Sequence, residues 1–309
     1  MSASVSDAEW RARSQAIAAL PIGRRVHITR TVIAALALLI VAFVLQGLAR
    51  NGNFEWKVVR QYFFEASVLD GIKRTLSLTA ISMIIGIVVA IVLANMRLAR
   101  NSVLRGIAGA YVWFFRSIPL LVLLILGFNF SIIYPTLGLG IPFGQQFFSV
   151  SVANLLTAYW TAALAFGLQQ AAYTSETIRA SILAIPAGQR EAAKALGMTP
   201  VRAFFRIVFP QAMKIAIPPI GNDTINLLKG TSLVAFIAVP DLLYSVQTIY
   251  NRTYEVVPLL MVACIWYMIF VSVLSVGQYF LERTLRRGWQ KSRQGRKSGL
   301  GRTRAVGGA

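Results

Sequence analysis

Long apolar stretches, separated by short polar segments, dominate this chain. A helix that crosses a lipid bilayer needs about 20 consecutive, mostly apolar residues. Six stretches meet or approach that length, at about 32–49, 75–94, 108–134, 152–175, 210–229 and 257–281. The pattern therefore predicts an all-α membrane protein with about six transmembrane helices, or five, since the last two stretches are interrupted by polar residues or only moderately apolar.

The composition supports this fold class. Hydrophobic residues make up 56% of the 309 residues and charged residues only 14%, whereas soluble domains usually carry about 25% charged residues. The formal net charge of +20 is high enough to raise the question of a nucleic-acid partner. The positions of the basic residues favour a membrane protein instead.

Most basic residues lie in segments between alternate apolar stretches. Of the 31 Lys and Arg residues, 23 fall in the four segments 1–30, 96–106, 176–214 and 282–309. Six helices place these segments on one side of the membrane, which the positive-inside rule makes cytoplasmic. Residues 50–74, with five basic and three acidic residues, lie on the outer side and are the exception. The charges thus predict two cytoplasmic termini and no nucleic-acid partner.

Residues that support catalysis or metal binding are scarce. The chain has one histidine, His27, and one cysteine, Cys264, which excludes most histidine-based metal sites and catalytic triads. The phosphate-binding loop GxxxxGK[ST] of many ATPases does not occur. We therefore predict no catalytic residue, no metal site and no cofactor bound by this chain.

Small and helix-breaking residues mark the second and third stretches. Ser82, Gly86, Ala90 and Ala94 recur every four residues and form a stripe along which another helix can approach closely. Pro119 interrupts the third stretch, and a proline leaves backbone groups that protein or water must satisfy. We expect Pro119 to face the protein interior.

Polar side chains concentrate in the fourth and fifth stretches. Such groups are costly to bury in a membrane, so they are candidates for lining a substrate pathway. The candidates are Gln169, Gln170, Tyr173, Asn222, Asp223 and Asn226. Helix packing is the alternative role for the glutamines and the tyrosine. Asp223 either holds a substrate ammonium group or pairs with Lys229 or Arg116, whereas Glu176 and Arg179 are expected to form a structural ion pair.

Residues 189–212, QREAAKALGMTPVRAFFRIVFPQA, differ from the apolar stretches on both sides. We predict a short helix over about 189–196 that ends at Gly197 in the left-handed conformation. A second, amphipathic helix starts at Thr199-Pro200, because threonine is a good N-cap and proline suits the first helical position. Pro210 is expected to bend the chain back into the bilayer.

The first of these two helices is expected to project from the membrane. Its alanines, Ala192, Ala193 and Ala195, are small enough to let the helix sink into a groove of another protein, and Glu191 adds one oriented charge. An ordinary cytoplasmic loop that happens to be rich in alanine is the alternative.

The segment Glu191-Ala192-Ala193, followed by Gly197 and then by Ile207 and Pro210, resembles the EAA loop of bacterial ABC importer permeases. Three other segments resemble the polar amino-acid branch of that family, namely Arg116-Ser117-Ile118-Pro119-Leu120-Leu121, Ala172-Tyr173 with Glu176 and Arg179, and Leu227-Leu228-Lys229-Gly230-Thr231-Ser232-Leu233. The resemblance covers about residues 70–285. Gly230 and Ser117-Ile118 depart from the residues common in that branch.

The resemblance implies a five-helix permease core at 70–285 and one extra N-terminal transmembrane helix at 31–49. Residues 1–30 would form a cytoplasmic tail and residues 50–69 an external loop. Residues 286–309 would form a basic cytoplasmic tail, whose charges suit anionic lipid headgroups.

The resemblance also implies function and partners. Glu191, Ala192, Ala193 and Gly197 would dock on an ATP-binding ABC subunit that hydrolyses ATP, so that this chain would be a non-catalytic translocation subunit in the bacterial plasma (inner) membrane. A second permease chain, identical or related, would complete the pathway. An extracytoplasmic solute-binding protein would deliver the amino-acid substrate.

Two other classes of function are compatible with apolar helices alone. An ion-coupled secondary transporter or channel for small polar solutes would use the intramembrane charges directly, but the chain shows no inverted repeat of the kind such transporters usually contain. A membrane scaffold or anchor would have no need of Asp223 or of the polar fourth stretch.

Overall fold

The computed structural model of this protein describes residues 7–18, 28–140 and 146–302. Two units are distinguished, Met1–Gly52 and Asn53–Ala309. Parts of the predicted cytoplasmic tails, residues 1–6, 19–27 and 303–309, lie outside the described residues, as do residues 141–145 of the predicted outer segment.

The described residues are almost entirely helical, which confirms the predicted all-α class. In chain order the helices are α1 (Asp7–Ala18), α2 (Ile28–Arg50), α3 (Trp56–Tyr62), α4 (Ala66–Leu98), α5 (Ser102–Ser117), α6 (Leu120–Phe128), α7 (Phe130–Ile133), α8 (Val152–Leu155), α9 (Ala158–Leu183), α10 (Ala187–Ala195), α11 (Pro200–Ala203), α12 (Phe209–Gly230), α13 (Leu242–Thr253) and α14 (Val256–Arg302). Short 3₁₀ turns occur at Gly52–Phe54 and Thr231–Ile237, and a π-helical turn at Phe204–Val208.

One antiparallel hairpin interrupts the helices in the segment predicted to face outward. Strand β1 (Thr136–Gly140) pairs with β2 (Gln146–Ser151), with Thr136 opposite Ser151 and an irregularity after Leu139. The predicted external loop at 50–69 also carries structure, since it contains α3 and the start of α4.

Three helical segments among the described residues are long and apolar enough to cross a membrane: Thr31–Arg50, Ala66–Leu98 and Val256–Leu285. The number rises to five if two bent pairs of helices, Ser102–Ser117 with Leu120–Phe128 and Pro200–Ile237 with Leu242–Thr253, each count as one span. The fourth predicted span, at about 152–175, corresponds to α9, which is 26 residues long but is not among these segments.

Helix α9 lies at the centre of the second unit. It contacts α4, α5, α6 and α12, and 13 of its 26 residues are buried. Several of its polar side chains are buried in protein, which explains why this helix need not be uniformly apolar: Thr161, Gln170, Thr174, Ser175 and Ser181.

The predicted stripe of small residues on α4 is buried against α9, as expected. A methyl group added at Gly86 would lie 3.1 Å from the Gln170 side chain, and one added at Gly167 would lie 2.7 Å from Cγ2 of Ile85. Glycine is needed on both helices because their backbones approach so closely.

The third predicted span is not one straight helix. Helices α5 and α6 meet at Ile118-Pro119 with a bend of 99°. Proline disfavours a helical conformation in the residue before it, and Ile118 is extended, with φ −93° and ψ 128°. The third stretch is therefore two helices that meet at the proline, and together they are long and apolar enough to count as one broken span.

A separate cluster joins α3 and the start of α4 to α13 and α14. The indole of Trp266 stacks on Phe63 with 4.7 Å between ring centroids and donates a hydrogen bond to the Phe63 carbonyl at 3.0 Å. Asp241, fully buried, accepts a hydrogen bond from the Tyr244 amide at 2.8 Å and begins α13. Asp241 is a structural N-cap that the sequence analysis did not single out.

Candidate functional site

The short helix α10 is ended by hydrogen bonds within its own segment. Gly197 has φ +72°, as predicted, and its amide donates to the Lys194 carbonyl at 3.0 Å. The amide of Met198 donates to the Ala193 carbonyl at 3.0 Å. This pair of bonds is the Schellman motif, which satisfies carbonyls that a helix end leaves open. The helix spans Ala187–Ala195, within two residues of the predicted bounds.

The chain re-enters a helix at the residues predicted from the sequence. Thr199 Oγ1 accepts a hydrogen bond from the Arg202 amide at 3.4 Å, and Pro200 occupies the first position of α11. The expected bend at Pro210 is absent, because the helical path continues from α11 through the π-helical turn into α12. Proline clashes with the carbonyl four residues earlier in a regular helix, and the wider π turn before Pro210 removes that conflict.

Helix α10 has an inner and an outer side. Ala193 is 1% exposed and packs against the chain itself, whereas Glu191, Ala192 and Leu196 are exposed. Arg190 Nη2 donates to the Ile182 carbonyl at 3.1 Å and so connects α10 to the end of α9. Of the predicted docking residues, Glu191, Ala192 and Gly197 are accessible and Ala193 is not.

Five of the six candidate pathway residues line one small cavity of about 220 Å³ between α9 and α12. They are Gln169, Gln170, Tyr173, Asp223 and Asn226. Leu120, Phe166, Leu227 and Gly230 complete the lining. Asn222 is exposed and does not line this cavity, because the side of α12 that faces it passes through Asp223, Asn226 and Gly230.

The two neighbouring glutamines differ in their bonding. Gln169 Nε2 donates to the carbonyls of Ile118 at 2.9 Å and Phe115 at 3.2 Å, which Pro119 leaves without helical partners. Protein groups therefore satisfy the break, but Pro119 itself is exposed, so the expectation that it faces the protein interior is wrong. Gln170 Nε2 donates to Thr174 Oγ1 at 3.0 Å on its own helix.

Asp223 forms no salt bridge with any basic group among the described residues. The alternative of a structural ion pair with Lys229 or Arg116 is therefore not observed. Arg116 instead lies over the ring of Tyr173, with its guanidinium carbon 5.0 Å from the ring centroid. A carboxylate and a guanidinium thus lie at or beside the same cavity without pairing.

Glu176 belongs to a structural network at the far end of α9. Its carboxylate accepts from Arg179 Nη2 at 2.7 Å, as predicted, and from Arg97 Nε at 3.0 Å. Arg97 was missed, because sequence alone does not show that the end of α4 meets α9. Among the described residues, no group of three or more His, Cys, Asp or Glu side chains could hold a metal ion.

Bundled membrane helices around a small polar cavity, with a short helix held outside the bundle, define a membrane transport subunit. The family model "Binding-protein-dependent transport system inner membrane component" matches residues 82–287. The chain belongs to this family.

Curated relatives support the assignment. The arginine transport system permease protein ArgU of Corynebacterium glutamicum is 37% identical over 270 residues, covering 85% of this chain and 82% of that protein. The L-cystine transport system permease protein TcyB of Bacillus subtilis is 36% identical, covering 79% of this chain and 96% of that protein. The histidine/lysine/arginine/ornithine transport system permease protein HisQ of Escherichia coli is 31% identical, covering 72% of this chain and 94% of that protein.

Solved structures show the same fold. A chain of an amino acid ABC transporter with histidines is 28% identical, with a TM-score of 0.62 over 72% of this chain and 95% of that chain. A chain of the MetNI methionine ABC transporter is 18% identical, with a TM-score of 0.58 over 72% of this chain and 97% of that chain. The second similarity concerns the fold alone.

Proposed function

We propose that this chain is the permease subunit of an ATP-driven amino-acid importer. In this proposal α10 docks on a partner subunit that hydrolyses ATP and couples the movement of that subunit to transport. The carrying observation is the exposed side of α10. Glu191 and Ala192 face away from the chain on a helix whose C-terminal end is closed by the Gly197 motif. A projecting helix with its own end-cap and one exposed acid fits a docking element better than it fits a loop.

The connection from α10 to the cavity is short and continuous. Arg190 attaches α10 to the C-terminal end of α9, and α9 runs from there to Gln169 and Tyr173 at the cavity. Glu176 joins the same helix to α4 through Arg97. A displacement of α10 by an ATP-binding subunit would therefore move α9 and α4 together and change access to the cavity.

The cavity supports a solute with an ammonium group. Asp223 offers a carboxylate that lies beside Gln170 and forms no ion pair with a described residue, and Asn226 and Tyr173 offer hydrogen bonds next to it. Arg116, over the Tyr173 ring, is placed for a carboxylate at the cavity edge. Asp223 and Arg116 would thus complement the ammonium and carboxylate groups of an amino acid. The volume of about 220 Å³ is below the range of about 300–1,000 Å³ typical of drug-sized ligands, which suits a small solute.

The names of the relatives agree with this substrate class, since they include permease proteins of arginine and L-cystine transport systems. Two permease chains, identical or related, would form the complete pathway, and a solute-binding protein outside the membrane would deliver the amino acid. Both termini lie in the cytoplasm in this proposal, and residues 70–285 form the permease core. Helix α2 is an additional N-terminal transmembrane helix.

The experiment is co-purification of ATPase activity with a tagged chain from its native membranes. Wild type is compared with Glu191→Arg, which reverses the exposed charge, and with Gln189→Arg, which adds a positive charge elsewhere on the same helix. We expect ATPase activity with wild type and Gln189→Arg and its loss with Glu191→Arg. ATPase activity absent from the wild-type preparation, or equal in all three, would overturn the proposal and favour an ion-coupled secondary transporter.

A further inference from the structure

A second, larger cavity lies beside α10, on the side that carries Arg190 and Lys194. Its volume is about 740 Å³, and it is lined by the ends of α4 and α9, by α10 and α11, and by the π-helical turn. Leu98, Ile182, Met198 and Phe204 form much of its apolar wall. The proposed transport mechanism makes no use of this cavity.

Two cations, Arg190 and Lys194, lie in the lining together with one neutral polar residue, Asn95, and the other lining residues are apolar. No acidic residue is among the described residues that line it. Arg190 donates to the Ile182 carbonyl but forms no ion pair with a described residue, and the ammonium group of Lys194 has neither a hydrogen bond nor an ion pair among them. The cavity therefore has positive charge with no counter-charge of its own.

The helical geometry of α10 separates this cavity from the docking surface. Successive residues of an α-helix are rotated by about 100°, so Arg190 and Lys194, four residues apart, lie on one side. Glu191 lies roughly 100° from Arg190 and 60° from Lys194, whereas Ala192 lies roughly 160° from both. A partner that docks on the Ala192 side would leave the Arg190 and Lys194 side open.

We propose that this cavity binds one anionic glycerophospholipid of the surrounding membrane. The lipid phosphate would contact Arg190 and Lys194, and an acyl chain would lie along Leu98, Ile182 and Phe204. Basic pockets between membrane helices on the cytoplasmic side are suited to anionic headgroups. The apolar wall favours a lipid over a soluble phosphate, and the uncompensated cations favour an anionic lipid over a zwitterionic one.

This lipid would have a structural consequence for α10. It would contact α10 on one side and the ends of α4 and α9 on the other, so it would strengthen a connection that the chain makes through the Arg190 hydrogen bond. The inference does not depend on ATP coupling, since binding of the lipid can be measured on the isolated full-length chain.

Native mass spectrometry of the full-length chain in detergent, titrated with phosphatidylglycerol or with phosphatidylcholine of the same acyl composition, tests the proposal. We expect one tightly retained phosphatidylglycerol and no equivalent phosphatidylcholine. Each basic side chain near an anionic lipid contributes about a fivefold change in affinity. Lys194→Gln, which leaves the Arg190 hydrogen bond in place, should weaken binding by about fivefold and Arg190→Gln/Lys194→Gln by more than about tenfold.

Two controls separate this site from general attraction to basic protein. Arg202→Gln/Arg206→Gln removes the same charge from residues outside the cavity lining and should leave the retained lipid in place. Ala99→Phe keeps every charge but fills the cavity from its wall, and it should remove the lipid. Equal losses for both double variants, retention of lipid in Ala99→Phe, or equally tight binding of glycerol 3-phosphate would each overturn the proposal.

Discussion

The projecting helix α10 and the small cavity between α9 and α12 arrange their polar residues in opposite ways. On α10, Glu191 is exposed, and the bonds that end the helix come from backbone groups within six residues. In the cavity, Gln169 donates hydrogen bonds to the carbonyls of Phe115 in α5 and of Ile118 at the α5–α6 junction, which are 54 and 51 residues away in sequence. A motif closed by local backbone bonds can be recognised in the sequence, and it leaves an exposed side chain such as Glu191 available to a partner. An intramembrane polar residue such as Gln169 can instead use its hydrogen bonds within the fold.

The comparison predicts that Asp223 and Gln169, although both line the cavity, have different roles. Asp223 has no ion pair among the described residues, so Asp223→Asn should lower amino-acid uptake by about tenfold or more, the effect of losing one hydrogen bond to a charged group. Thermal unfolding of the purified variant should match wild type. Normal uptake together with a lower unfolding temperature would identify Asp223 as structural.

Gln169 provides the converse case. Gln169→Leu removes the donor from two carbonyls at the Pro119 break, and each buried carbonyl left without a partner costs about 1–3 kcal/mol. We expect the free energy of unfolding to fall by about 2 kcal/mol or more, measured by denaturant unfolding in detergent. A variant as stable as wild type but defective in uptake would instead place Gln169 in direct contact with the solute.

These two residues also show how far sequence reasoning reaches. The concentration of polar residues in the fourth and fifth stretches indicated the candidates, and five of the six meet at one cavity. It did not separate Asn222 from the others, because a difference of one residue rotates a side chain by about 100° and the orientation of α12 depends on its neighbours. The roles of Gln169 and Arg97 depend on which helices touch, which no local pattern contains.

Backbone motifs were predicted more completely. The positive φ of Gly197 and the N-cap at Thr199 follow from side-chain chemistry within one turn of helix. The 99° bend at Pro119 did not follow, since proline permits many bend angles and the contact with α9 selects one. The absence of a bend at Pro210 depends on the π-helical turn, which carries no clear sequence signal.

The close approach of α4 and α9 predicts a smaller effect. Gly167→Ala places a methyl group 2.7 Å from Ile85 Cγ2 and should reduce the free energy of unfolding by about 1–3 kcal/mol, because overpacking forces neighbours to shift. Gly106→Ala is the matched control, since a methyl group there meets nothing within 4 Å. It should be neutral or slightly stabilising, and equal destabilisation by both substitutions would refute the packing argument.

The smallest expected effect is local to α10. Gly197→Ala puts a side chain at φ +72°, where the left-handed conformation costs roughly 1–2 kcal/mol. Hydrogen exchange over residues 187–198 should become at least about fivefold faster, with the rest of the protein unchanged. Gly188→Ala, in the same helix with open space around it, should not accelerate exchange. Unchanged exchange in Gly197→Ala would show that the capping motif does not hold α10.

The central claim is that α10 transmits ATP hydrolysis to the cavity. Uptake of labelled amino acids into proteoliposomes containing the chain, its ATPase and its binding protein tests it most directly, with internal ATP or a non-hydrolysable analogue. Uptake should require hydrolysis and fall by about 30-fold in Glu191→Arg, as expected for a disrupted charged contact at an interface, while Gln189→Arg retains it. Uptake that continues without ATP and collapses with an ionophore would contradict the account.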